Sequence, residues 1–335
     1  MKTLKIKLVG FYDGFNPDNF LMFKILGKYY NVVFSDDPDY IICSESQKPY
    51  EYCKYPQVRI MYSGENYIPD LNLVDYAICN YPVKLLDRCF YLPLCVGSNS
   101  GHGKYLDGKE RNYSHDILKE KEYFANLICS HDSEYQYRSR FFERLSQYKR
   151  VESPGTFMNN MPDGRTVEFK NESKIEFQRK CKFTICFEST KHEGFVTEKI
   201  ADAFYADTIP IFYGSSTVKD IFNRDAFVNI ADYDSFDDAV ERIIELDQDD
   251  EQYLEMLSQP VFVKQDYVSQ VLDDYEAFLR YIFDQPVNEA YRRSRVYVPA
   301  RYNDYFRKLN SGKEKIGKER KRRLSIRRII SRLRK

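Results

Sequence analysis

The sequence predicts an α/β protein with two parallel sheets, and three observations support this prediction. Short β-rich runs alternate with helical patterns in both halves of the chain. The alternation breaks near 93–120, where Gly, Pro and Ser accumulate, and then restarts. The 335 residues, 43% of them apolar, suffice for two domains of ordinary size. We therefore expect two Rossmann-like domains facing a cleft.

The first half of the chain reads as strands alternating with helices. LKIKLVGFY alternates with period two, and NFLMFKILGKYY fits a short amphipathic helix. YNVVFSD, DYIICSES, VRIMYSGEN and VDYAICNY are typical of strands that end in polar residues or turns. YLPLCVGSNSGHGKYLDGK has the composition of a linker or long loop. We expect the first domain to span 1–120.

The second half repeats the α/β pattern. YFANLICSHD, KFTICFES and TIPIFYG predict strands, and SEYQYRSRFFERLSQYKR predicts a helix. TEKIADAFYA predicts another helix, with Ile200, Ala203 and Phe204 on one face, and SFDDAVERIIEL and DDEQYLEML predict two more. We expect a second domain over 121–265, followed by helices over 266–310 that pack back on the body.

Composition limits the function classes. The eight cysteines form no C-x-x-C pair and the four histidines are scattered, so we expect reduced, buried thiols of a cytosolic protein and no metal site. The start, MKTLKIKLVG, alternates instead of running apolar, which argues against a signal peptide. No run approaches the ~20 apolar residues of a membrane span.

The zero net charge hides a basic tail at 311–335. Residues 313–335 contain twelve Lys or Arg and two Glu, a net of +10, so 1–312 carry −10. Ile326, Ile329, Ile330 and Leu333 recur at helical spacing among the arginines. This pattern predicts a basic amphipathic helix on an anionic membrane surface. Nucleic-acid binding, which needs no apolar stripe, and a solubilising or disordered tail are the alternatives.

One stretch, ICFESTKHEGFVTEKIADAFYADTIPIFYG, predicts a strand, a charged loop, a helix and a strand. Such loops lie at the carboxyl edge of a parallel sheet, where ligands bind. Thr197 is placed as the helix N-cap, with Glu198 and Lys199 in the first turn. A cation at the positive end of a helix favours an added phosphate, although a solvated capping turn is the alternative. Because no glycine-rich phosphate loop is present, side-chain cations would have to hold a nucleotide.

Two further residues are candidates for the same cleft. Glu65 follows a predicted strand beside Gly64, where a carboxylate suits a general base. A solvated turn residue is the alternative. Arg138 lies on the helix after LICSHD and would reach the cleft as a cation, the alternative being a solvated surface arginine.

Three segments together resemble a known family, the α-1,3/4-fucosyltransferases. FESTKHEGFVTEKIADAFYADTIPIFYGSS resembles the family signature, and VKDIFNRDAFVNIADYDSFDDAVERI continues the likeness. RIMYSGENYIPDLNLVDYAICN is similar to the acceptor-side segment of bacterial members, and FANLICSHDSEYQYRSRFFERLSQYKRVESPG to their donor-domain entry. The resemblance covers roughly residues 1–265, in order.

The resemblance implies a GT-B fold, with an acceptor side in 1–120 and GDP-fucose bound by 121–265. It implies inverting transfer of L-fucose to a GlcNAc hydroxyl, O3 or alternatively O4, of an N-acetyllactosamine-like, Lewis-type glycan. No metal is implied as a requirement, with Mn²⁺ stimulation left open. Bacterial relatives also carry basic amphipathic tails, which implies a cytoplasmic enzyme peripherally bound to the inner membrane face and no nucleic-acid partner.

The resemblance also assigns residues. Glu65 matches the catalytic base, Glu198 a carboxylate near the fucose, and Arg138 and Lys199 the cations on the donor pyrophosphate. The same signature implies that four more residues bind the donor: Glu188, Ser189, Phe195 and Thr197.

The chain departs from the family at two positions. Relatives commonly have Glu-Asn-Ser where this chain has Glu188, Ser189 and Thr190, and Tyr where it has Phe195. Both departures remove hydrogen-bond donors near the nucleotide. The alternatives are therefore a transferase that uses another GDP-sugar, or an inactive, membrane-tethered protein that binds a glycan or nucleotide.

Overall fold

A computed structural model describes residues 1–47, 50–98, 101–167 and 172–310. The described chain forms two compact units. One contains residues 1–79, 83–90 and 278–310, and the other contains 80–82 and 91–277. The division therefore falls near 80–91 and 277, and not at the expected positions 120 and 265.

The first sheet has six strands within the described residues, in the order β2-β1-β3-β4-β5-β6. The strands are β1 (Lys2–Val9), β2 (Tyr30–Phe34), β3 (Tyr40–Cys43), β4 (Val58–Tyr62), β5 (Tyr76–Cys79) and β6 (Cys89–Tyr91). Neighbouring strands from β2 to β5 run parallel. Period-two burial in β1, where Leu4 and Ile6 are fully buried, explains the alternation seen in the sequence. Helix α1 (Leu21–Leu26) buries Met22 and Phe23 and confirms the predicted short helix.

The second sheet has five parallel strands in the described chain, in the order β11-β10-β9-β7-β8. The strands are β7 (Tyr123–Asn126), β8 (Val151–Glu152), β9 (Cys181–Phe187), β10 (Ile209–Tyr213) and β11 (Val228–Asn229). The α-helices between residues 94 and 284 are α2 (Leu94–Gly97), α3 (Tyr137–Ser146), α4 (Glu172–Arg179), α5 (Glu198–Tyr205), α6 (Val218–Ile221), α7 (Phe236–Gln248), α8 (Asp250–Ser258) and α9 (Tyr267–Asp284). Two parallel sheets with intervening helices confirm the predicted α/β class.

The segment predicted to be a linker is instead part of the second unit. Cys95 and Val96 of α2 share a core with Ile200 of α5, and the Cys95 N–H donates to the Val196 carbonyl (3.0 Å). The buried Arg111 guanidinium donates through Nε to the Leu257 carbonyl (2.9 Å). The few apolar residues of this segment are irregularly spaced, so periodicity gave no sign of their burial.

Residues 278–310 pack on the first sheet. The Tyr30 hydroxyl donates to Asp284 (2.6 Å), and the Lys2 ammonium donates to the Phe283 carbonyl (2.6 Å). Residues 297–310 are helical. The predicted amphipathic helix of 313–335 lies outside the described residues.

All eight cysteines lie in the described chain as free thiols, and seven are buried. The prediction of buried, unpaired thiols is confirmed at seven positions, and Cys89 is partly exposed. Within the described ranges, no helix is long and apolar enough to cross a bilayer. The same ranges contain no group of three His, Cys, Asp or Glu side chains placed to hold a metal ion.

Candidate active site

Helix α5 begins where the sequence predicts it. Thr197 is the N-cap, with extended backbone angles, and its side-chain oxygen accepts from the Lys199 backbone N–H at 3.5 Å. Glu198 and Lys199 form the first turn. Ile200 and Phe204 on the opposite face are fully buried, and this packing fixes the helix against β9 and β10.

Glu188, the residue after β9, is bonded to this helix end. Its side chain is fully buried, Oε1 accepts from the Thr197 backbone N–H (2.7 Å), and Oε2 accepts from the Lys199 ammonium (2.9 Å). The same ammonium donates to Thr197 Oγ1 at 2.8 Å. The sequence interpretation, in which a phosphate would offset the cation, is therefore incomplete: a carboxylate of the chain already pairs with Lys199.

Electrostatics keep Lys199 charged. Burial by itself lowers the pKa of the ammonium, but the nearby carboxylates of Glu188 and Glu198 outweigh it, so the pKa is raised above its ordinary value. The Lys199 side chain remains 19% exposed. A cation that is held by the buried Glu188 and is partly open to solvent can also pair with an anionic ligand.

Glu198 borders the segment that begins at Gly101. A β-carbon placed on Gly101 would lie 2.7 Å from the Glu198 Cβ, so only glycine permits this approach. Glu198 itself is half-buried. The close contact limits the conformations open to the start of α5.

Arg138 lies on α3 but is only 2% exposed. Its Nε and Nη2 donate to the Phe187 carbonyl (3.1 and 2.7 Å), and its Nη1 donates to the His131 carbonyl (2.8 Å). Arg138 is thus not a solvated surface arginine: it supports the end of β9 immediately before Glu188. Its assignment to the donor pyrophosphate stays a prediction.

The loop between β9 and α5 is held at several points. The Ser189 carbonyl accepts from the Glu134 N–H (2.9 Å), and the Gly194 N–H donates to Ser215 Oγ (2.9 Å). Gly194 has φ +82°, and a β-carbon there would lie 2.3 Å from the Asn80 carbonyl oxygen. Phe195 is 4% exposed, so the phenylalanine fills a buried position without adding a hydroxyl that needs a partner.

A buried ion cluster behind the site was missed by sequence reasoning. Asp202 of α5 is 2% exposed and accepts from the Lys174 ammonium (2.8 Å) and from the His102 backbone N–H (2.9 Å). The His102 ring, whose Nδ1 lies 2.9 Å from the same carboxylate, stacks on Tyr205 with centroids 4.5 Å apart. The sequence signal that could have revealed this cluster is Asp202, a charged residue amid the apolar face of TEKIADAFYA.

Glu65 lies in the first unit, three residues after β4. Its side chain is exposed, and its carbonyl accepts from the Tyr67 N–H (2.7 Å) in a tight turn. The position matches the prediction of a carboxylate just beyond a strand at the carboxyl edge of the sheet. Its catalytic role stays a prediction.

Comparison with known proteins places these features in a family. Residues 118–273 match the model of glycosyltransferase family 10 (fucosyltransferase) C-term, and residues 6–96 match the α-(1,3)-fucosyltransferase FucT N-terminal domain. The α-(1,3)-fucosyltransferase FucT of Helicobacter pylori is 30% identical over 274 residues, which cover 71% of this chain and 55% of that protein. The human 4-galactosyl-N-acetylglucosaminide 3-α-L-fucosyltransferase 9 is 26% identical over 136 residues, which cover 40% of this chain and 36% of that protein. The chain thus spans about half or less of these relatives.

Solved structures agree with these matches. An α1,3-fucosyltransferase crystallised with GDP-fucose superimposes with a TM-score of 0.65 at 26% identity, covering 86% of this chain and 93% of that chain. The likeness confirms the predicted GT-B type of fold. The two family models match in order along this chain, and the structural likeness agrees with them. The chain therefore belongs to the family 10 glycosyltransferases, the fucosyltransferases.

Proposed function

We propose that the protein transfers L-fucose from GDP-fucose, with inversion, to the O3 or O4 hydroxyl of GlcNAc in an N-acetyllactosamine-like glycan. The observation that carries the proposal is the Lys199 ammonium, held by the buried Glu188 at the N-terminus of α5. A relative solved with GDP-fucose supports the donor. The name of the human relative, a 4-galactosyl-N-acetylglucosaminide 3-α-L-fucosyltransferase, supports the acceptor and O3.

The donor half of the reaction needs a cationic site for its leaving group. As the bond from the fucose anomeric carbon to the diphosphate breaks, its electron pair leaves with GDP, whose terminal phosphate gains negative charge. Lys199 and the N-terminus of α5 would stabilise this charge. Glu198, in the same turn, would face the positive charge that develops on the sugar. Glu188, Ser189, Phe195 and Thr197 would shape this site, and Arg138 would add a second positive charge for the pyrophosphate.

The acceptor half needs a base. Glu65 would take the proton of the attacking GlcNAc hydroxyl as its oxygen bonds to the anomeric carbon from the face opposite GDP, which inverts the configuration. The exposed position of Glu65 beyond β4 gives a glycan hydroxyl access to the carboxylate.

We also propose that 313–335 attaches the enzyme to an anionic membrane surface at the cytoplasmic face. The support is the net charge of +10 and the Ile and Leu residues at helical spacing. Each cation near such a surface contributes about 1 kcal/mol.

A transfer assay over a panel of donors and acceptors tests the proposal. GDP-fucose, GDP-mannose and UDP-galactose are each incubated with N-acetyllactosamine, and products are read by mass spectrometry. We expect a gain of one deoxyhexose with GDP-fucose alone. Glu65→Gln should slow turnover by about 10²–10⁴-fold, the usual contribution of a general base, while GDP still binds.

The other outcomes separate the alternatives. Product from GDP-mannose in place of GDP-fucose would identify a different GDP-sugar transferase. Tight GDP-fucose binding without product on any acceptor would identify a binding protein. Near wild-type turnover of Glu65→Gln would remove Glu65 as the base.

A further inference from the structure

The Glu45 carboxylate accepts hydrogen bonds from the turn that carries Glu65. Glu45 follows β3, the strand paired with β4, and its Oε1 accepts from the Glu65 backbone N–H at 3.1 Å. Ser63 Oγ lies 3.2 Å from the same oxygen, and Ser44 Oγ donates to Oε2 at 3.2 Å. One carboxylate therefore joins the loops after two neighbouring strands.

The partners of Glu45 are well anchored. Ser63 is 2% exposed, and its N–H donates to the Ile78 carbonyl of β5 at 2.9 Å. Glu45 itself is half-buried, whereas Glu65 is exposed and follows a glycine. Glu45 and Ser63 thus hold the side of the turn that faces the sheet, because Ser63 Oγ also donates to the Glu65 carbonyl at 3.1 Å, and Glu65 itself is exposed.

This geometry has a consequence for proton transfer. A base must lie within hydrogen-bond reach of the hydroxyl it deprotonates, and a misplacement of about 1 Å costs on the order of 10²-fold in rate. The position of the Glu65 carboxylate depends on where its Cα and Cβ lie, and Glu45 holds the backbone that carries them. Without that bond, the turn would sample other positions of Cα and Cβ.

We propose that Glu45 is a positioning residue for Glu65: it holds the Glu65 backbone so that the carboxylate presents to the acceptor hydroxyl. Glu45 does not touch the reacting atoms in this role. The inference rests on the proposed function for its kinetic effect, but its structural part, a carboxylate that fixes the 63–67 turn, is measurable without turnover.

Three variants test the proposal: Glu45→Ala, Glu45→Gln and, as a control, Asp36→Ala. Gln keeps an oxygen that accepts from the Glu65 N–H, while Ala removes it. Asp36 lies after β2, its carboxylate is fully exposed, and its ion pair with Lys7 is a surface contact. Hydrogen exchange of the Glu65 amide, kcat, KM for the acceptor, GDP affinity and thermal unfolding are measured for each.

We expect Glu45→Ala to speed exchange of the Glu65 amide and to lower kcat by about ten- to a hundredfold, the cost of a displaced base. GDP affinity should not change, and Glu45→Gln should restore most of both losses. Asp36→Ala should match the wild type. If Glu45→Ala does not fold, Glu45→Asp, whose side chain is one methylene shorter and draws the carboxylate away from the Glu65 N–H, supplies the exchange measurement and should show the same faster exchange.

Two results would overturn the inference. Unchanged amide exchange and kcat in Glu45→Ala would mean that Glu45 positions nothing. Loss of turnover in Glu45→Gln as complete as in Glu65→Gln would make Glu45 itself the proton acceptor. A wild type without transferase activity would refute the proposed function alone, because the exchange data still decide the structural part.

Discussion

At the scale of single residues, the site depends on one buried charge pair. Lys199 contacts Glu188 and the Thr197 hydroxyl while part of its side chain remains open to solvent. Taking either partner away leaves the other charge in a poorly solvated position, which makes the pair sensitive to substitution.

Lys199→Met should weaken GDP binding. The loss of a hydrogen bond to a charged group costs about 1.5–3 kcal/mol, or roughly 10- to 150-fold in Kd. Isothermal calorimetry with GDP measures the change. Lys180→Met is the matched control, because Lys180 lies in the same unit but forms a half-exposed surface pair with Glu122. Equal Kd values for both variants would remove Lys199 from the donor site.

Glu188→Gln should make GDP binding sensitive to alkaline pH. In the wild type the raised pKa keeps Lys199 charged as the pH increases, so its contribution to anion binding persists. Without the Glu188 charge, burial dominates, the Lys199 pKa falls, and the cation is lost at lower pH. The Kd for GDP, measured from pH 7 to 10, should rise earlier in the variant. Parallel pH profiles would show that Glu188 does not maintain the charge of Lys199.

At the scale of secondary-structure elements, α5 carries the site and Asp202 holds its surroundings. The Asp202 carboxylate on α5 accepts hydrogen bonds from the Lys174 ammonium of α4 and from the backbone N–H of His102, in the loop after α2. Three segments that are distant in sequence therefore meet directly behind the turn with Glu198 and Lys199.

Asp202→Asn should lower the free energy of unfolding by about 3–5 kcal/mol, because it leaves the Lys174 ammonium buried without its counter-charge. Urea denaturation measures this loss. Glu122→Gln, in a surface pair, is the control and should cost about 0–1 kcal/mol. Similar losses in both variants would show that the cluster adds no more than a surface contact.

The sign of the pH dependence follows from the same carboxylate. Burial alone would raise the Asp202 pKa, but His102 and Lys174 outweigh it and the pKa is lowered. The stabilisation is therefore present above the ordinary pKa of an aspartate, about 4, and is lost as the pH falls through the lowered value. Denaturation curves of the wild type and Asp202→Asn should converge in acid.

Local signals in the sequence predicted much of α5 but not its partners. The N-cap Thr197 and the buried face follow from residue type and helical period, and both were confirmed. Contacts with Asp202 join positions 28 and 100 residues apart, which no local pattern reveals. The same holds for Arg138, whose guanidinium donates to the Phe187 carbonyl at the end of β9, 49 residues away along the chain.

At the scale of the whole molecule, two parallel sheets were predictable from alternating β-rich and helical runs, whereas the unit boundaries were not. Residues 91–98 and 101–120 lack periodicity yet belong to the second unit, and 278–310 return to the first. Such boundaries depend on long-range packing, and composition along the chain does not report it.

Removing 311–335 should abolish binding to anionic vesicles while leaving GDP affinity unchanged. The cations and the apolar stripe lie together in this segment, and electrostatic attraction falls with salt. Co-sedimentation with phosphatidylserine vesicles, with phosphatidylcholine vesicles as the control, measures the effect. Equal binding to both vesicle types, or binding that survives the deletion, would contradict the role of the tail.

Proton NMR of the product is the direct test of inverting fucose transfer from GDP-fucose. The reaction of the wild-type protein with GDP-β-L-fucose and N-acetyllactosamine is followed at the anomeric signals. We expect an α-L-fucosyl signal linked to O3 or O4 of GlcNAc, formed as GDP is released. A β-linked fucoside, or release of free fucose without any glycan product, would contradict it.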